Sequence, residues 1–208
     1  KSNLRIFKKN SIWKFSVLDE EIEFKKDISF INWDINVLLI LGLMKILNLN
    51  LKKVVPILKR LHPIPGRGKT TQIVFKNKSF TLIDESYNSN PESLKHAIES
   101  LKNHKNLNSR KILVIGDMLE LGKMSEIYHK NIVETLLKIS PEIIITVGNY
   151  SKVIFENLPK RFLKFHFDNY ENVFNKLLKI IKNKDVIMIK GSNSINLHLI
   201  SQELIRLG

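Results

Sequence analysis

Residues 83–91, IDESYNSNP, hold the densest set of groups that can do chemistry in this chain. Asp84 and Glu85 are adjacent acids at the end of an apolar run. Such a pair can hold ribose hydroxyls or a magnesium-bound nucleotide. Asn88 and Asn90 can each donate and accept hydrogen bonds, which suits sugars and peptides. Tyr87 can stack on a base or line an apolar pocket. The plainer alternative is an ordinary turn followed by an Asn-Pro helix start, and the residues alone divide evenly between the two.

Three further loops carry polar groups. In IGDMLELG (115–122), Gly116 and Gly122 permit turns that other residues resist. Asp117 and Glu120 can orient a cationic amine. The alternative, which the residues alone favour, is a loop with two solvated acids and a packed Met118. Lys190 to Ser194 can cradle an anion at a helix N-terminus, or simply cap it. TVGN (146–149) is the fourth.

Gly66 to Thr71 imitates the end of a phosphate-binding P-loop. The true pattern needs a glycine where this chain has Pro63, a strand before it and a helix after it. The residues before it read as a helix and those after it as a strand, so the pattern is rejected. Arg67 alone can still meet phosphate or adenine, since a guanidinium fork suits both. Histidines 62, 96, 104, 129, 166 and 198 show no metal-ligand spacing. A surface or packing role is the default for each, His129 included. No metal site and no Ser-His-Asp arrangement is expected.

These loops need a scaffold. From residue 69 onward, strand-like runs alternate with amphipathic helices. Strands are expected at 71–75, 80–83, 111–115, 142–147, 162–167 and 185–189. Helices are expected at 91–101, 125–139, from 150, at 171–181 and at 195–207. Asn90 is a natural N-cap and Pro91 fits the first helical position. Runs such as ILVIG and IIITVG are apolar throughout, as strands buried on both faces are. The result is an α/β fold with a mostly parallel sheet and helices on both sides. Ligands in such sheets bind beyond the carboxyl ends of the strands, where all four polar loops fall.

Before residue 69 the pattern differs. Short strands (4–7, 12–17, 21–24) precede an apolar helix at 35–47 and a second helix at 51–61 that Asn50 can cap. The segment HPIPGRG then breaks the periodicity, which places a boundary near residue 68. The opening residues read as the middle of a longer protein.

At 208 residues the chain can bury roughly 70% of the surface its unfolded form exposes, so it needs no disulfide or metal to fold. It has no cysteine, which excludes a disulfide scaffold, a zinc ribbon and a thiol nucleophile. A cytoplasmic location is the plain reading. No charged-then-apolar signal sequence opens it. The apolar stretch at 35–47 is too short for a membrane span, which needs about 20 residues. The net charge of +14 raises the question of nucleic acid. The lysines are scattered, however, and no aromatic-basic signature accompanies them. The charge reads as the compositional habit of a coding sequence rich in A and T, and no nucleic-acid partner is expected.

In their order along the chain, these motifs resemble the Mur ligase family, in the branch that joins D-alanyl-D-alanine to UDP-N-acetylmuramoyl-tripeptide. Gly66 and Arg67 match the GR motif where that family's C-terminal domain begins. Asp84 to Pro91 match a DDSYNANP-like motif. Gly116, Asp117, Met118, Glu120, Leu121 and Gly122 match GDM-ELG, and His129 the His that follows. Lys190, Gly191, Ser192 and Ser194 match KGS-RS, and Asn36 an Asn of the central-domain helix. Branches that add other amino acids carry a DYAH-like motif where this chain has SYNSNP. Four positions depart from the pattern. Glu85 replaces Asp but keeps a carboxylate, and Ser89 replaces Ala. Asn193 replaces Arg and removes a cation, and Asn32 stands where a His is usual.

The resemblance implies the C-terminal part of a central ATP-binding domain, a partial α/β remnant, over 1–68. A Rossmann-like C-terminal domain follows over 69–208. It implies ATP as a substrate, with Mg2+ bound mainly by P-loop segments that this sequence lacks. UDP-N-acetylmuramoyl-tripeptide and D-alanyl-D-alanine are the implied small-molecule partners, and a separate N-terminal half of the ligase is a further candidate partner. Arg67, Asp84 and Glu85 would serve the nucleotide. Tyr87, Asn88, Asn90, Asp117 and Glu120 would serve the dipeptide. No catalytic residue is assigned, and no turnover is expected from the chain alone. The alternative is a nonenzymatic nucleotide- or peptide-binding module from a split or decaying ligase gene.

Overall fold

The computed structural model describes residues 4–9, 12–25, 34–60, 62–103 and 109–208. The chain divides into two compact units, residues 1–64 and 65–208. The division falls four residues before the boundary expected from composition. The 65–68 turn packs with the second unit, because the Gly66 and Gly68 N–H groups both bond Asp84.

The first unit holds an antiparallel meander of β1 (Leu4–Lys9), β2 (Ile12–Val17) and β3 (Glu20–Lys25). Alternation in β2 and β3 turns Trp13, Phe15, Val17, Ile22 and Phe24 to one face. There they pack with Val37 and Leu41 of α1 (Asp34–Ile46) and Leu58 of α2 (Val55–Arg60). The single helix expected over 51–61 is two pieces. Asn50 caps a 3-10 turn at Leu51–Lys53, accepting from Lys52 N, and α2 starts afresh at Val55. Pro56 explains the break. It has no N–H to continue an α-helix, yet it fits the first turn of a new one. Leu61, residues 26–31 of the first expected segment and Asn32 lie outside the described residues.

The second unit is a six-stranded sheet in the order β4-β5-β9-β6-β7-β8. Its strands are β4 (Lys69–Phe75), β5 (Lys78–Glu85), β6 (Lys111–Gly116), β7 (Ile143–Val147), β8 (Leu163–Phe167) and β9 (Val186–Lys190). β4 forms an antiparallel hairpin with β5, and every other pairing is parallel. Helices α3 (Pro91–Ser100), α4 (Ser125–Ile139) and α5 (Lys152–Asn157) cover one face. Helices α6 (Val173–Ile180) and α7 (Leu197–Arg206) cover the other. β6 shows why both faces need cover. Leu113 and Ile115 enter the first core, while Ile112 and Val114 enter the second. β9 returns between β5 and β6, so the loops after these three strands emerge side by side. Gly66 to Thr71 form a turn running into β4, not a helix, so the P-loop imitation stays rejected. No described helix is long and apolar enough to cross a membrane.

Candidate functional site

The loop after β5 is built around Asp84. Its carboxylate is 4% exposed and takes four hydrogen bonds. Oδ2 accepts from Gly66 N at 2.8 Å. Oδ1 accepts from Ser86 N at 3.3 Å, Ser86 Oγ at 2.5 Å and Ser201 Oγ of α7 at 2.9 Å. Asp84 therefore fastens the 65–68 turn and α7 to the end of β5. The Asp84 backbone oxygen takes Gly68 N, and Tyr87 N reaches back to Gly66 O. A side chain at residue 66 would meet Tyr87 Cβ at 2.9 Å, with φ at +78°, so glycine is required there.

That fastening presents Arg67. Its guanidinium lies 4.2 Å from the centre of the Tyr87 ring, and both side chains are exposed. Behind them Glu85 faces Lys190, its register partner on β9, with Oε2 3.8 Å from Nζ. Lys190 is 3% exposed and donates to the Asn88 carbonyl at 2.8 Å. Burial pushes the Glu85 carboxyl up, against the pull of Lys190, with Asp84 adding and Arg67 opposing. Burial pushes the Lys190 ammonium down, with Glu85 opposing and Arg67 adding. An acid and a base are thus each moved toward neutrality at the mouth of a sheet, which marks candidate functional sites more often than passive surfaces.

The remaining loops are joined to this one through Ser192 and Asp117. Ser192 Oγ lies 3.5 Å from Ser89 O and accepts from Leu119 N at 2.9 Å. Ser192 N donates to Asp117 O at 3.0 Å. The Asp117 carboxylate, 3% exposed, accepts from Ser151 N at 2.6 Å and Tyr150 N at 3.2 Å. It thereby satisfies amides just ahead of α5. A Cβ on Gly148 (φ +108°) would sit 2.5 Å from that carboxylate. His129 Nε2 accepts from Met118 N at 2.9 Å, and Nδ1 lies 2.6 Å from Ser125 O. This pairing fixes a neutral imidazole with its proton on Nδ1. Burial lowers the His129 pKa, with Ser125 O and Asp117 opposing.

The expected site residues therefore separate by geometry. Arg67, Tyr87 and Asn88 are exposed, Glu85 is half-buried beside them, and Glu120 is exposed with φ at +65°. Asp84 and Asp117 were expected to meet ligand directly, but their oxygens are committed to the chain's own donors. Asn90 Oδ1 is likewise committed, in a capping box with Ser93 at the start of α3. His129, given a default surface or packing role, is fully buried and holds the 117–122 loop. Lys190 and Ser192 were expected only as part of a loop that cradles an anion or caps a helix, and Ser201 had no assigned role; here Lys190 holds the Asn88 carbonyl and Ser192 and Ser201 tie loops together. A small polar cluster directly after a buried strand was the available signal for the first two. Among the described residues no group of three His, Asp or Glu side chains could hold a metal ion.

A family model described as "Mur ligase, glutamate ligase domain" matches residues 71–193, more than half of the chain. The chain belongs to the Mur ligase family. Among curated relatives, the UDP-N-acetylmuramoyl-tripeptide–D-alanyl-D-alanine ligase of Rickettsia prowazekii is 34% identical over 132 residues. That match spans 64% of this chain and 28% of the relative. The Bacillus subtilis protein of the same name is 33% identical over 156 residues, 71% of this chain and 33% of the relative. This Mur ligase chain thus spans about three-tenths of the length of the relatives it matches. Among solved structures, MurF ligase from Thermotoga maritima in complex with ADP superposes with TM-score 0.76 at 21% identity. It covers 98% of this chain and 46% of that one. MurF from Acinetobacter baumannii gives TM-score 0.79 at 18% identity, covering 98% and 45%. At those identities the likeness is one of fold, and it confirms the mixed α/β architecture with a mostly parallel sheet.

Proposed function

We propose that this Mur ligase chain supplies the nucleotide and amine-acceptor side of an ATP-dependent, cytoplasmic ligase that adds D-alanyl-D-alanine to UDP-N-acetylmuramoyl-tripeptide. One observation carries the reading. The four polar loops are bonded into a single edge of the sheet, in a chain whose curated relatives are named for that reaction.

In such a ligase ATP phosphorylates the tripeptide carboxylate. The dipeptide amine nitrogen then attacks the acyl carbon, phosphate leaves, and the amine gives up a proton. Holding two charged reactants together supplies much of the acceleration. In this reading Arg67, stacked on Tyr87, meets the nucleotide. The exposed Glu120 carboxylate attracts the ammonium of the dipeptide, and Asn88 contributes amide hydrogen bonds. Glu85 and Lys190 set the charge behind them. Asp84, Asn90 and Asp117 act by fixing loops. Mg2+ would neutralise phosphate charge, and no described residue is assigned to hold it.

The rest of the site lies outside these residues, in a separate or preceding N-terminal portion. The surface of α1 supports this. Ile35, Leu39, Leu43 and Ile46 form one apolar stripe with exposures of 63, 59, 58 and 70%. A helix apolar on two faces is ordinarily covered on both.

Calorimetry on the purified chain tests the reading. Saturable binding of ATP and of D-alanyl-D-alanine is expected. Arg67→Ala should weaken ATP by about tenfold, the loss of one charge-assisted contact. ATP affinity indifferent to Arg67→Ala would count against the assignment. Salt-sensitive DNA binding at about micromolar Kd would favour a nucleic-acid binder instead.

A further inference from the structure

The ligase reading gives no role to the ends of β7 and β8. Thr146 and His166 are register partners on these two strands. Thr146 is fully buried, and the His166 side chain is 11% exposed. Thr146 Oγ1 lies 2.9 Å from His166 Nδ1 and 3.5 Å from Phe165 O. His166 Nε2 is buried without a hydrogen-bond partner. Asp168 Oδ1 stands 3.6 Å from it, on a side chain that is 88% exposed. From α5 the Phe155 ring packs 5.8 Å from the imidazole. Lys152 of α5 and Asp117, in the loop after β6, are the other charges that act on it.

A neutral imidazole cannot satisfy this arrangement. With its proton on Nε2, Thr146 must donate to Nδ1, and the buried Nε2–H has no acceptor within bonding distance. With its proton on Nδ1, Thr146 accepts from the ring and donates to Phe165 O, but the Nε2 lone pair then faces a carboxylate. A second ring proton satisfies every group. Nδ1–H donates to Thr146, Thr146 donates to Phe165 O, and Nε2–H points at Asp168. A small turn of the exposed Asp168 side chain would close the gap to the roughly 2.8 Å of a charge-assisted hydrogen bond.

We propose that Thr146, His166 and Asp168 form a proton-operated latch on the loop after β8. When His166 takes a second ring proton from solvent, Asp168 closes onto Nε2 and ties the loop to the sheet. When that proton returns to solvent, the loop is released. Burial moves protonation below the ordinary 6.5, with Lys152 adding and Asp168 and Asp117 opposing, so the latch closes in mild acid. Phe167, between the two latch residues, accepts from Gly148 N at 2.9 Å. The latch therefore bears on the 148–151 turn that Asp117 holds. It stands on β7 and β8 and does not depend on the ligase reading.

The test is NMR of the whole chain from pH 8 to pH 5. It follows the His166 ring signal and the hydrogen exchange of the Asn169, Tyr170 and Glu171 amides, corrected for the intrinsic pH dependence of exchange. Protection of those amides should rise by about threefold, the scale of one partly exposed ion pair, with the same midpoint as the ring signal. Asp168→Asn, at an exposed position, should move the ring midpoint to lower pH and remove the rise. Lys152→Ala should move the midpoint to higher pH and keep the rise. His166→Gln should leave protection indifferent to pH, and circular dichroism confirms that it is folded. If it is not, Asp168→Asn still decides. Protection that does not change as His166 titrates would overturn the proposal. A midpoint unmoved by Asp168→Asn would overturn it as well.

Discussion

His129 holds a loop by staying uncharged. Its two ring nitrogens serve Met118 N and Ser125 O, and neither has room for a further proton without losing the bond from Met118. Burial keeps its pKa below the ordinary 6.5, so the unfolded imidazole takes up a proton more readily than the folded one. The stability it contributes is present above about pH 6.5 and is lost as pH falls toward the folded value. Thermal melts from pH 8 to pH 5 should show that decline. His129→Gln should flatten part of it, even though His166, also lowered by burial, still titrates. At pH 8, His129→Ala should cost about 2–3 kcal/mol, from a buried N–H left unpaired. A variant with an unchanged pH profile would show that the imidazole is not the titrating anchor.

At the scale of elements, the strand ends converge because of close approaches that only glycine permits. Gly148 touches the Asp117 carboxylate and has φ at +108°. Gly148→Ala should therefore cost about 3 kcal/mol or more, through backbone strain and overlap together. Chemical denaturation measures this, and a loss below about 1 kcal/mol would mean the loop adapts freely. Elements with strong local signals were legible before the fold was known. α4 spans 125–139 as its periodicity indicates, and Asn90–Pro91 starts α3 with a capping box. What stayed hidden depended on distant partners. Asp117 meets Ser151, 34 residues on, and Asp84 meets Ser201, 117 residues on. A short loop with two acids reads the same whether those acids face solvent or the chain's own amides. The break before Pro56 was local, and apolar spacing alone concealed it.

At the scale of the molecule, each unit has its own core. The second carries apolar clusters on both faces of its sheet, and the first packs around Trp13, Phe15 and Leu41. Residues 65–208 expressed alone should fold and melt in one cooperative transition. A broad, non-cooperative melt would show that the second unit depends on the first. If this chain is one side of a ligase, turnover depends on the portion it lacks. Phosphate release tests it most directly, with ATP, UDP-N-acetylmuramoyl-tripeptide and D-alanyl-D-alanine all present. The chain alone should release none. The chain mixed with the N-terminal portion of the Bacillus subtilis relative should release phosphate only when D-alanyl-D-alanine is added. Steady release by the chain alone, or none from the mixture, would show that the chain is not one side of such a ligase.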